Sequence, residues 1–327
     1  MKHPSPAVRP PGEPSRLSCA PAGTAERQAG LSDGAAAAQQ RALDWLHRYE
    51  LATDGRVLEQ VESIWVGAAF SMLFPRAKPE IQGLASDVFT WITAFGDVLV
   101  DGRDARDGAF TALMLQLSEL LHGSGDTEAG SRTGFAAALG NLLHRCDELL
   151  PCEHGYRVRQ SLNSFVMAQN WHVNALADAH RPDLEEYVVA RRHLVGGWAL
   201  IALLGPLESF RIPARLYRDP RADQLNKAAC NLLAWLNDLS SYERESRTGD
   251  AELTLPSILM RERHFTLTES LTEVASMCDA QQEAARRLTD RCRRDADQEL
   301  ADYGELVCGL MQQIAHWHLV IAADRYR

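Results

Sequence analysis

From Ala35 onward, apolar side chains return every three or four residues, and β-branched alternation at period two is absent. That rhythm commits each segment to an α-helix with one buried stripe, because 3.6 residues per turn bring i, i+3, i+4 and i+7 onto one face. The spacing predicts helices over 36–49, 56–73, 80–101, 105–121, 133–149, 156–176, 183–204, 220–246, 254–263, 268–299 and 301–323, with Gly, Pro or Asp in the breaks. Residues 188–204 are apolar round much of the helix and belong at the centre of a large bundle, where a cavity is a common ligand site. The expected fold is all-α: one domain over residues 35–327, a helical bundle around a central apolar cavity. Residues 1–34, rich in Pro, Gly, Ser and Ala and without periodicity, are expected to form a disordered arm.

Composition narrows the function classes. With 327 residues and an apolar fraction of 46%, the chain can bury a sizeable core. No stretch reaches the roughly 18 uncharged apolar residues of a membrane span; the longest candidate, 194–207, carries a Pro and several Gly. The first 34 residues have scattered Arg and Pro and no apolar core of a signal peptide, so the expected location is cytoplasmic. Seven cysteines without a Cys-x-x-Cys pair suggest neither a disulfide framework nor a zinc site, and are expected to be buried thiols. A net charge of −10 with no basic stripe argues against nucleic acid as a partner.

The segment Asn237-Asp238-Leu239-Ser240-Ser241-Tyr242-Glu243-Arg244-Glu245 spaces Asn237, Ser241 and Glu245 at i, i+4 and i+8. On a helix they form one face of oxygen donors, suited to a hard divalent cation such as Mg²⁺ that keeps part of its shell for water and phosphate. Arg244, beside the last of them, could hold a phosphate oxygen. The same pattern also describes a solvated polar face. A second segment, Trp91 through Gly102, is an apolar helix ending in Asp97 and Asp101, again one turn apart. Two such carboxylates can chelate cations that offset their repulsion; alternatively, Asp101-Gly102 is a helix terminus with an exposed acid.

Together these segments resemble the motifs of class I terpene synthases of the bacterial type. The first matches Asn-Asp-x-x-Ser-x-x-(Lys/Arg)-Glu with apolar Leu232, Leu233, Trp235 and Leu236 before it. The second is similar to Asp-Asp-x-x-Asp, about 140 residues upstream, with Asp97 first, Val98 where the second aspartate stands, and Asp101 last. A register with Gly96 in the first place and Asp97 in the second is less economical, because the first aspartate is the family's principal ligand. In 187–197 the family's pyrophosphate-sensing arginine falls on Arg192, its linker on Val195 and its helix-break effector on Gly196. Near the C-terminus, Arg325-Tyr326 resembles the closing Arg-Tyr pair. A glycine inside a strong helix costs about 1 kcal/mol relative to Ala; a break that aims a carbonyl at a forming cation would be one reason for Gly196, and close packing another.

The resemblance covers about residues 36–327 and implies the class I helical fold. It makes Asn237, Ser241 and Glu245 ligands of one Mg²⁺, with Asp97 and Asp101 serving others, three ions in all, and Asp238 a helix residue rather than a ligand. Arg192, Arg244, Arg325 and Tyr326 would hold the diphosphate. The implied reaction ionises a prenyl diphosphate, C15 farnesyl or C20 geranylgeranyl, and cyclises the cation in a dry pocket whose aromatic faces stabilise positive charge. Candidates for that lining are Phe89, Phe95, Trp198 and, foremost, Trp317. The expected partner is the small-molecule substrate, and the resemblance allows a homodimer. A chain-elongating prenyltransferase would normally carry a second aspartate-rich motif in place of 237–245; a helical binding protein with impaired catalysis, hinted at by Val98, is the non-enzymatic alternative.

Overall fold

The expected periodicity becomes helices throughout the computed structural model, which describes residues 33–52, 55–62, 64–100, 108–123, 133–177, 181–248 and 251–321. Among these residues there is no strand. In chain order the helices are α1 (Asp33–Arg48), α2 (Gly55–Glu62), α3 (Val66–Leu73), α4 (Pro79–Phe95), α5 (Gly108–His122), α6 (Gly134–Leu149), α7 (Cys152–Ala177), α8 (Leu184–Leu194), α9 (Gly197–Leu207), α10 (Pro220–Thr248), α11 (Leu255–Arg263), α12 (Leu267–Arg294) and α13 (Gln298–His316). α4 and α13 each run on into a wider π-helical turn, Gly96–Val100 and Trp317–Ile321. The expected arm falls almost wholly on residues outside the described ones, since α1 begins at Asp33.

Three long predicted helices are each interrupted, for different reasons. The segment 56–73 breaks at Trp65, whose φ is 58°. α3 packs so closely on α1 that a Cβ on Gly67 would lie 2.4 Å from the Ala38 carbonyl oxygen. The N–H groups of Gly67 and Ala68 donate to Gln39 Oε1 at 3.0 and 3.3 Å, so a side chain from α1 caps α3. The segment 183–204 breaks at Gly196, with φ +73° and a bend of 45° between α8 and α9. The break expected near residue 300 falls instead at Ala296 (φ 60°). There Asp297 caps α13 by accepting from Leu300 N and is itself held by Arg221 Nη2 at 2.7 Å.

α4 is buried on nearly all sides from Ile81 to Phe95, and α9 is likewise apolar and buried; the two pack together at the centre, as helices without a polar face must. α4 is held by two polar anchors. Trp91 Nε1 donates to the Phe135 carbonyl at 3.0 Å, and Asp87, buried, accepts from Arg145 at 2.6 Å and Arg41 at 3.5 Å. Burial pushes the Asp87 carboxyl up, against the pull of Arg145 and Arg41. α10, α12 and α13 close the other side of the bundle. No single described helix is long and apolar enough to cross a membrane; the bent pair α8–α9 would be on length and composition, and much of it is core. Four cysteines, Cys146, Cys230, Cys278 and Cys292, are the expected buried thiols, whereas Cys152 is exposed and Cys308 half-buried; Cys19 lies outside the described residues.

Candidate active site

α10 presents the oxygen-donor face. Its buried residues Leu232, Leu233, Trp235 and Leu236 fix its rotation in the bundle. Asn237, Ser241 and Glu245 then follow along one line, spanning about 12 Å at 1.5 Å per residue. Asn237 and Glu245 are half-buried, and Ser241 is wholly buried. The Ser241 hydroxyl has no hydrogen-bond partner among the described residues. A buried hydroxyl without a partner is costly, so a ligand that satisfies it is the natural expectation. Amide, hydroxyl and carboxylate oxygens in a row suit a hard cation, and no cluster of three His, Cys, Asp or Glu is present among the described residues to suit a softer one. Arg244 Nη2 stands 3.5 Å from Glu245 Oε1, while its Nε is buried without a partner.

Asp97 lies in the π-helical turn that ends α4 and is buried. Such widened turns recur at functional sites because they push side chains out of the regular helical rows. Asp101, Arg325 and Tyr326, the other expected ligand and the expected closing pair, lie outside the described residues.

The two adjacent arginines of α8 have different fates. Arg191 is engaged: its Nε donates to Asp238 Oδ1 at 2.9 Å, and its Nη2 reaches both Asp238 Oδ1 and Asn237 Oδ1 at 2.7 Å. Arg192 is half-buried beside Cys230 and His193, and its guanidinium makes no hydrogen bond or ion pair with another described residue. Asp238, fully buried, also accepts from the Tyr187 hydroxyl and from Leu255 N at 2.8 Å. Burial pushes its carboxyl well up, Glu245 adds to this, and Leu255 N–H opposes it; the Arg191 guanidinium supplies the compensation that a buried carboxylate requires.

Gly196 forms the break between α8 and α9. A Cβ there would meet Ile92 Cδ1 at 2.8 Å and Phe89 Cε1 at 3.7 Å, so the break presses on α4 about one and a half to two turns before Asp97. Its carbonyl accepts from the N–H groups of Ala199 and Leu200, and so serves the first turn of α9. Val195 is half-buried at the C-cap of α8. Phe89 packs with Trp317 (ring centroids 5.9 Å) and Phe70 (5.3 Å), and Phe70 and Trp317 are 6.2 Å apart. A small void borders this cluster, lined by Ala69, Phe70, Leu200, Leu310, Ile314 and Trp317. A larger groove of about 570 Å³ between α10 and α12, lined by Leu225, Ala228 and Leu288 with Arg287, Arg291 and Arg294 at its rim, lies about two and a half turns before Asn237 and is not part of this site.

The profile of terpene synthase family 2, C-terminal metal binding, matches residues 87–301, about two thirds of the chain. The chain belongs to this family. As a terpene synthase it is an enzyme acting on a prenyl diphosphate, with a metal-binding domain. It is 29% identical over 296 residues to the (12E)-labda-8(17),12,14-triene synthase of Streptomyces anulatus, a match covering 88% of each chain. It is 27% identical over 237 residues to the farnesyl diphosphate cyclizing 4-epi-cubebol synthase of Streptosporangium roseum, covering 72% of this chain and 71% of that one. The crystal structure of linalool/nerolidol synthase from Streptomyces clavuligerus overlays with a TM-score of 0.73 at 21% identity, over 88% of this chain and 96% of that one, a likeness of fold.

Of the four aromatic side chains expected to line this terpene synthase's cavity, the structure brings Phe89 and Trp317 together. Phe95 turns the other way, into a cluster with Trp91, Phe135 and Phe165 at centroid distances of 5.1–5.5 Å, because it stands one turn from Trp91 on the opposite side of α4. Trp198 stacks near His193 at 6.0 Å, with a buried indole N–H that has no partner among the described residues. Sequence reasoning missed Phe70, which carries no motif, and missed the anchoring work of Tyr187, Arg191 and Asp238. For Asp238 the signal was available: an acid flanked by apolar Leu236 and Leu239 on a central helix has to be paired.

Proposed function

We propose that this terpene synthase is a Mg²⁺-dependent cyclase of a C15 or C20 allylic diphosphate. Asn237, Ser241 and Glu245 would hold one ion and Asp97, with Asp101, would hold others, three in all by family resemblance. The observation that carries the assignment is the buried, unpartnered hydroxyl of Ser241 between two further oxygen donors on one helical face. Bound Mg²⁺ supplies positive charge that lowers the cost of diphosphate departure. Arg192, whose guanidinium is uncommitted, and Arg244, whose Nε is unpartnered, donate N–H groups to diphosphate oxygens, where charge grows as the carbon–oxygen bond breaks and the electron pair leaves with the phosphate. Arg325 and Tyr326 take the closing role. The faces of Phe70, Phe89 and Trp317 exclude water and stabilise the allylic cation, with the bend at Gly196 placing α9 against them. A farnesyl diphosphate cyclizing relative supports the C15 substrate.

Ser241→Ala separates ligation from folding. Removing a buried hydroxyl that has no partner leaves stability unchanged or raises it by up to about 1 kcal/mol, while Mg²⁺-dependent diphosphate release falls at least tenfold. Full release by Ser241→Ala, or release that survives chelation by EDTA, overturns the metal assignment. Offering C10, C15 and C20 diphosphates, each with and without isopentenyl diphosphate, and identifying the products checks the rest. Consumption of C10 alone, or an elongated chain, refutes the cyclase reading.

A further inference from the structure

We propose that Arg191 is a positioning residue for Asn237, held for that purpose by Asp238 and Tyr187; the proposal rests on Asn237 being a metal ligand. An asparagine side chain has two ends of similar shape and opposite chemistry, and only Oδ1 can face a cation. A guanidinium carries donors and no acceptor, so Arg191 Nη2, 2.7 Å from Oδ1, accepts only one orientation of the amide. This bond takes one lone pair of Oδ1, and a carbonyl oxygen carries two, so donation from Arg191 is compatible with ligation of a metal by the same atom. The same Nη2 is anchored at 2.7 Å to Asp238 Oδ1, and Nε doubles the attachment at 2.9 Å, so the guanidinium cannot rotate away from Asn237 without breaking two charge-assisted bonds. Pairing with Asp238 also offsets the positive charge that Arg191 would otherwise present to an approaching cation.

The anchor itself is fixed by two further donors. Tyr187, one turn before Arg191 on α8 and almost wholly buried, donates its hydroxyl to Asp238 Oδ2. Leu255 N, at the first turn of α11, donates to the same oxygen at 2.8 Å, and Thr254, the N-cap residue of α11, makes no side-chain cap of its own. Asp238 therefore joins α8, α10 and α11 at the level of the first donor of the oxygen row. α8 also carries Arg192 and ends at the Gly196 break, so this joint sets the spacing between the metal-facing helix and the helix that offers the uncommitted guanidinium. Partners of this kind behind a ligand contribute 10–100-fold to metal affinity by orienting it.

Tyr187→Phe, which keeps the packing, and Arg191→Lys, which keeps the charge without the fork, test this, with Asn237→Ala as reference and Gln39→Met, which removes the cap of α3 and alters none of the proposed metal ligands, as a control for lost stability. Binding of Mn²⁺ in the presence of inorganic diphosphate, followed by electron paramagnetic resonance, reads metal affinity without turnover; the Mg²⁺ concentration for half-maximal diphosphate release reads it with turnover. The expected result is a tenfold or greater loss of affinity in Arg191→Lys, a smaller loss in Tyr187→Phe, and none in Gln39→Met. Adding Arg191→Lys to Asn237→Ala weakens binding no further. If Asn237→Ala weakens metal binding while Arg191→Lys stays within twofold of the native protein, the positioning role is wrong and the ligand assignment survives. If Asn237→Ala leaves affinity unchanged, the ligand assignment fails and the proposal with it.

Discussion

Gly196→Ala tests the physical basis of the helix break, because two separate costs can be worked out for it. At φ +73° an L-residue is in the left-handed region, which costs about 1–2 kcal/mol relative to glycine. The new Cβ would also stand 2.8 Å from Ile92 Cδ1 and 3.3 Å from its Cγ2. Overpacking of a core costs about 1–3 kcal/mol, and here the lower end applies because Cδ1 is the end of a flexible side chain. Against this, the restricted unfolded chain returns about 0.4–1 kcal/mol. The net expectation is a loss of about 1–2.5 kcal/mol. Gly96→Ala is the matched control: its φ is −61° and, outside its own helical turn, no atom of a described residue lies within 4 Å of the added Cβ, so it should gain about 0.5–1 kcal/mol. Urea denaturation of both variants should give midpoints displaced in opposite directions at constant slope. Ile92→Val removes the clashing Cδ1, costs about 0.5–1.5 kcal/mol alone, and combined with Gly196→Ala should recover about 1 kcal/mol relative to additivity. Equal stabilities for Gly196→Ala and Gly96→Ala would refute the argument outright, and a coupling of zero would remove its steric half.

Two further outcomes follow from side chains that act across the fold. Gln39→Met removes the acceptor that caps α3 from α1 and should cost about 1–2 kcal/mol; a loss below about 0.3 kcal/mol in urea melts would mean the cap is dispensable. Burial, with the charge of Arg191 second, pushes the His172 imidazole down from 6.5 to about 4. The folded state thus resists a proton that the unfolded chain accepts, so this contribution is neutral above pH 6.5 and destabilises as pH falls toward 4, by about 2 kcal/mol at pH 5. His172→Gln should flatten the pH dependence of unfolding between pH 7.5 and 5 by that amount, and an unchanged dependence would disprove it.

The sequence by itself determined the helices and the row of donors on α10, because both depend on a local period. Once 220–248 is helical, Asn237, Ser241 and Glu245 share a face whatever surrounds them. The same reasoning made the glycine at 196 conspicuous. Tertiary structure decided everything that depends on which elements meet. Of two neighbouring arginines, Arg191 was drawn to Asp238, 47 residues away in the chain, by the placement of α8 against α10, and Arg192 was left without a hydrogen bond or ion pair among the described residues. Phe89 and Phe95 stand on different sides of α4, and the packing of distant elements decided that Phe89 meets Phe70 and Trp317 while Phe95 meets Phe135 and Phe165. The breaks at Trp65 and Ala296 escaped the periodicity for a related reason. Apolar spacing runs straight through them, and the left-handed residue at each is stabilised by caps and ion pairs from distant elements, Gln39 in one case and Arg221 in the other.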